Sequence, residues 1–77
     1  MNRILIVDDE QSIRRSLAGI LSDEGFETRE AEDGERALLD IRKEHPDLVL
    51  LDIAMQGRDG VEILEELRQS RPSLPVV

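Results

Sequence analysis

Two short apolar runs that each end on aspartate constrain this chain more than anything else in it. Ile4-Leu5-Ile6-Val7 runs directly into Asp8-Asp9-Glu10, and Leu48-Val49-Leu50-Leu51 stops at Asp52. Apolar runs this short, bounded by acids and lacking a helical period, fit strands buried on both faces. Each aspartate then stands at a strand's carboxyl end, where the backbone leaves the sheet. Between Asp52 and Gly60 lie Gly57 and no helical or strand period, which reads as a loop.

The segments between the runs change period. From Gln11 to Glu24, Ile13, Leu17, Ile20 and Leu21 fall on one helical stripe, and Gly25 occupies the expected C-cap. Phe26 to Ala31 is a more polar second strand, suited to a sheet edge. Asp33 is the expected N-cap of a second helix whose inward residues are Ala37, Leu38 and Ile41. His45-Pro46 ends it, because a residue before proline is driven out of the helical region. A third helix is expected from Asp59, with Glu62 completing a near capping box and Val61, Ile63, Leu64 and Leu67 facing inward. Pro72 and Pro75 mark its exit, and Val76-Val77 read as the start of a fourth strand. Arg14 and Arg15 are placed on the outward, solvated side of the first helix, and His45 on the surface.

Strict alternation of strand and helix implies right-handed crossovers and a parallel sheet covered on both faces. The expected class is therefore α/β. With 77 residues the chain makes at most one small domain, and its core must be aliphatic because Phe26 is the sole aromatic residue. There is no cysteine, which removes disulfides and thiolate metal sites. No apolar run approaches the roughly 20 residues needed to span a bilayer, so no membrane role is expected. Ten basic against eighteen acidic residues give a net charge of −8. That balance argues against nucleic-acid binding by this segment.

In doubly wound sheets, ligands bind beyond the strand carboxyl ends where strand order reverses. If the first and third strands flank that point, Asp8, Asp9 and Asp52 converge in one crevice. Crowded carboxylates repel and call for a cation between them, and an all-oxygen donor set suits Mg2+. Asp52 is then a candidate nucleophile, able to accept a phosphoryl group as an acyl phosphate. Each aspartate taken alone would more simply cap a helix or open a turn. Three on two strand ends favour a site.

These residues in this order resemble the receiver domain of bacterial two-component response regulators. The matching stretches are Ile4 to Glu10, Asp33-Gly34 and its helix, Pro46 to Met55, and Gly57 to Gly60. The style is similar to receivers at the head of nitrogen-regulation-type transcription activators. The resemblance implies a flavodoxin-like fold with strand order 2-1-3-4 here. It implies that Asp52 is the phosphoacceptor for a sensor histidine kinase and that Asp9 binds Mg2+ directly. By the same resemblance Asp8 holds the metal largely through water, and Ala54 contributes a backbone carbonyl. It further implies a cytoplasmic signalling module that is not an enzyme.

Gln56 departs from the proline usual in the family. The chain is also expected to be a partial receiver, 1–77, without the family's fifth strand, fourth and fifth helices, and the serine or threonine and the lysine that contact the phosphoryl group. Output would then be lost. A second reading is a self-associating fragment, a homodimer or higher assembly, pairing through an open strand-four edge with Val76 and Val77 unpaired. A phosphohydrolase is a third, disfavoured because Ala54 stands where an acid/base aspartate would be needed.

Overall fold

Ile4, Leu5, Ile6 and Val7 are all buried, and that continuous burial makes β1 (Arg3–Val7) the centre of the sheet. The structure, a computed structural model, describes residues 2–52 and 60–77. Along the described chain β1 is followed by α1 (Gln11–Asp23), β2 (Glu27–Ala31), α2 (Gly34–Glu44), β3 (Leu48–Leu51) and α3 (Gly60–Ser70). The strands run parallel in the order β2-β1-β3. Strand order therefore reverses at β1. Because crossovers are right-handed, that reversal sends α1 to one face of the sheet and α2 to the other.

Side chains alternate across the sheet accordingly. Leu5, Val7, Val49 and Leu51 join Ala31, Ala37, Ile41, Ile63 and Leu67 in one core beneath α2 and α3. Ile6 and Leu50 face the other way and line a groove with Ile13 and Leu17 of α1. The second strand lies at the edge, as its polar composition implies, with Arg29 and Glu30 exposed.

The register of β3 against β1 is pinned at both ends. Asp47 donates its N–H to the Arg3 carbonyl at 2.8 Å, and its Oδ2 accepts the Arg3 N–H at 2.7 Å. At the far end the Asp52 N–H donates to the Val7 carbonyl at 3.0 Å. Val7 pairs with Leu51 and with Ala31 on its two sides. Strand four is reduced to a single parallel bridge of Val76 with Val49. On its inner side the segment is paired: the Val77 N–H donates to the Val49 carbonyl at 2.9 Å. Leu51 in turn donates to the Val77 carbonyl at 2.8 Å. The segment lies beside β3, in the place strand order 2-1-3-4 requires.

Most local signals act as the sequence implies. Asp33 caps α2 by accepting the Arg36 N–H at 2.8 Å, and Gly25 takes a φ of 95° after α1. His45 ends α2 in the left-handed region, at φ 49°. The proposed Asp59 cap and the Gly57 loop lie outside the described residues.

Two helices face differently from the reading of their sequence. In α1 no residue is fully buried, Ile13 and Ile20 are 45% and 61% exposed, and the half-buried positions are Arg14, Leu17, Ala18 and Leu21. That set is itself an i, i+3, i+4, i+7 stripe, with an arginine where an apolar residue was expected. In α3, Ile63 and Leu67 are buried and Leu64 packs beside them, but Val61 is 49% exposed.

These placements predict a contrast in stability. Ile41→Val, in the core, should cost about 0.5–1.5 kcal/mol. Ile20→Ala, on the exposed flank of α1, should stay within about 0.5 kcal/mol. Urea unfolding of both variants checks the assignment of faces.

Candidate metal and phosphoryl site

The pairing of Val7 with Leu51 makes Asp8 and Asp52 the next residue on each of two neighbouring strands. Both emerge at the carboxyl edge of the sheet, at the point where strand order reverses, and Asp9 follows in the turn towards α1. Asp8, Asp9 and Asp52 each bring one carboxylate oxygen into a set lying within 4.8 Å of one another. Asp8 and Asp52 are half-buried and Asp9 is exposed, so the set opens to solvent on one side. Among the described residues these three form the one cluster of acids with metal-holding spacing.

Backbone hydrogen bonds hold the cluster from beneath. The Asp8 N–H donates to the Ala31 carbonyl of β2 at 3.1 Å, and the Asp52 N–H to that of Val7. Asp8 Oδ1 accepts the Glu10 N–H at 2.9 Å. The Arg14 guanidinium donates to the Asp8 carbonyl at 2.8 Å through Nη1 and to Glu30 Oε1 at 3.1 Å through Nε. Arg14 therefore belongs to the support of this edge, not to the solvated side of α1. The sequence carried a signal for it: Arg14 shares a stripe with Leu17, Ala18 and Leu21, and an arginine stem packs on apolar surface while its head reaches a polar partner.

Three carboxylates at this separation, with oxygen donors alone, match the preferences of a hard divalent cation and offer nothing to a thiolate- or imidazole-seeking one. Ala54, expected to add a backbone carbonyl, lies outside the described residues. His45 is remote from the acids, at the opposite end of β3, where its Nδ1 lies 3.2 Å from Nη1 of Arg71. Two further acids, Glu32 and Asp33, follow β2 and border an open acidic depression with Asp9 and Glu10.

Residues 4–77 match the family model described as "Response regulator receiver domain". The chain is 47% identical over 76 residues to the nitrogen assimilation regulatory protein NtrX of Azorhizobium caulinodans, covering 96% of this chain and 17% of that one. A crystal structure of NtrX from Brucella abortus superposes with a TM-score of 0.92 at 54% identity, covering 96% of this chain and 17% of the other. The response regulator TrrA of Thermotoga maritima, solved in complex with Mg2+-BeF, gives a TM-score of 0.94 at 43% identity, over 99% and 66% of the two chains. The chain thus spans about a sixth of the length of the NtrX proteins it matches. No helix among the described residues is long and apolar enough to cross a membrane.

Like charges held this closely at a half-exposed edge cost about 1 kcal/mol per pair. Without divalent ions, Asp52→Asn, which removes two of the three pairs, should therefore raise the unfolding free energy by about 1–2 kcal/mol, and added monovalent salt should shrink the gain. Denaturation at low and high salt, with a chelator present, checks it.

Proposed function

The chain belongs to the response regulator receiver domain family, and from that premise we propose that it is a phosphoacceptor module with Asp52 as the accepting carboxylate. The observation that carries this reading is the convergence of Asp8, Asp9 and Asp52 within 4.8 Å at the strand-order reversal. It is supported by the acid pattern that this chain shares in order with the family.

The proposed partner is a sensor histidine kinase, and the reaction is transfer of a phosphoryl group. An Asp52 carboxylate oxygen attacks phosphorus in line with the departing imidazole nitrogen. An oxygen–phosphorus bond forms, the phosphorus–nitrogen bond breaks, and the imidazole carries away the bonding pair and takes up a proton. The product is an acyl phosphate on Asp52. Transfer of this kind is mostly a matter of positioning and charge neutralisation, so the chain's task is to present the carboxylate in a fixed place. The hydrogen bond from the Asp52 N–H to Val7 does that from the backbone side.

Mg2+ is the proposed cofactor, supplying positive charge to the transferring phosphoryl oxygens when bound. Asp9 is its proposed direct ligand, and Asp8, with one oxygen already accepting the Glu10 N–H, acts largely through water. Asp52 and the Ala54 carbonyl complete the proposed donor set. The role is that of a signalling module acted upon by a kinase, with a cytoplasmic location.

Incubation with Mg2+ and a small phosphodonor such as acetyl phosphate or phosphoramidate tests the main reading. The expected result is one added phosphoryl group, lost in Asp52→Asn and after chelation, and labile to hydroxylamine as an acyl phosphate is. A modification that persists in Asp52→Asn would contradict it.

A further inference from the structure

Arg14 is the least expected participant at the acidic edge. Its side chain is only 11% exposed, although it begins in the first turn of a helix with no fully buried residue. The neighbouring Arg15 is exposed. Arg14 spends its guanidinium on two different targets: the carbonyl of Asp8 on the sheet's central edge, and the carboxylate of Glu30 on β2. Its own N–H donates to the Glu10 carbonyl at 3.0 Å, closing the first turn of α1 immediately after the acidic pair.

We propose that Arg14 is a positioning residue for Asp9, acting through the peptide that joins Asp8 to Asp9. A peptide unit is planar, so fixing the Asp8 carbonyl oxygen also fixes the Asp9 nitrogen and the direction in which the Asp9 Cα leaves. The Asp8 N–H, bonded to Ala31, and Asp8 Oδ1, bonded to Glu10, secure the residue on either side of that peptide. The bond from Asp8 Oδ1 to the Glu10 N–H closes a ring through that peptide and restrains its rotation, and the 2.8 Å bond from Nη1 holds its carbonyl oxygen directly. Asp9 is exposed and stands in the turn, and the backbone there sets the point from which its side chain starts.

Glu30 has the complementary part. By taking the Nε–H at 3.1 Å it orients the planar guanidinium so that Nη1 meets the Asp8 carbonyl. It also offsets the arginine's charge, so the guanidinium acts at the acidic site chiefly by geometry. A lysine cannot reproduce this. Its ammonium is a point donor on a flexible stem and lacks the rigid two-way fork.

The inference deepens the phosphoacceptor reading and rests on it for the function of Asp9, but its test separates the two. In the full chain, Arg14→Met keeps the packing stem and removes both bonds. Arg14→Lys keeps the charge. Glu30→Gln keeps an acceptor for Nε. Without metal, Arg14→Met and Arg14→Lys should shift the Asp8 carbonyl-carbon and Asp9 amide resonances well beyond any change in Glu30→Gln. In Mg2+ titrations by calorimetry, Arg14→Met should weaken affinity roughly tenfold, the lower end of what supporting residues contribute at metal sites. Arg14→Lys should restore little of that, and Glu30→Gln should lose less than Arg14→Met.

Unchanged Asp8 and Asp9 resonances in a folded Arg14→Met would overturn the proposal. So would a loss of affinity that merely tracks the fraction unfolded at each urea concentration, or full rescue by lysine. If the unaltered chain binds no Mg2+, the phosphoacceptor reading fails, and the metal-free resonances still decide whether Arg14 positions Asp9.

Discussion

The residue-by-residue pairing of β1 with a neighbour on each side is the constraint on which the rest depends. β1 pairs from Arg3 to Val7 with Glu27 to Ala31, and from Ile4 to Val7 with Leu48 to Leu51. Burial on both faces fixes that register, because a one-residue slip would exchange the residues that face α2 and α3 with those that face α1. Each large aliphatic side chain buried there contributes about 1.5–3 kcal/mol. Polar contacts at Asp47 and Arg3 pin the opposite end. On β1 and β3 the last paired residue is apolar and the next is aspartate. The acidic site is thus a consequence of where the hydrophobic register ends.

That site holds charges that disfavour one another, and the surroundings make the arrangement tolerable. The cluster is open to solvent at Asp9, its backbone donors are satisfied by Ala31 and Val7, and Arg14 is already paired with Glu30. A divalent cation is the natural complement to such a set, since three carboxylate oxygens lie close together at an edge open to solvent. The same feature that costs stability in the metal-free chain would favour cation binding and, with it, approach of a phosphoryl donor.

The strand ends that carry the acids were legible because they rest on short-range rules. Apolar runs cut off by acids give strand ends, and alternating elements give a parallel sheet. Asp33 and Gly25 were readable as caps from local chemistry alone. The fold class follows from those rules, whereas the strand order, on which the meeting of Asp8, Asp9 and Asp52 depends, was legible only through the resemblance to receiver domains. What escaped was orientation about a helix axis. Ile13, Leu17, Ile20 and Leu21 make a plausible stripe, yet the helix turns Arg14, Leu17, Ala18 and Leu21 towards the sheet. Hydrophobicity alone ranks isoleucine above arginine for the inner face. The reward for Arg14, two hydrogen bonds to groups on β1 and β2, depends on tertiary neighbours that a helical pattern does not contain. Val61 was misplaced for a similar reason, since Gly60, Ile63 and Leu67 form the stripe that meets the core.

The central claim is that the sheet register assembles Asp8, Asp9 and Asp52 into one cation site. Its most direct test is to add trace Mn2+ to the isotopically labelled chain and follow the loss of backbone amide signals. The amides of Asp8, Asp9 and Asp52 should broaden first and together, while those of Arg3, Glu44 and Asp47 at the opposite end persist. Broadening centred on Glu32 and Asp33 that spares Asp52, or spread evenly over the acidic surface, would contradict it.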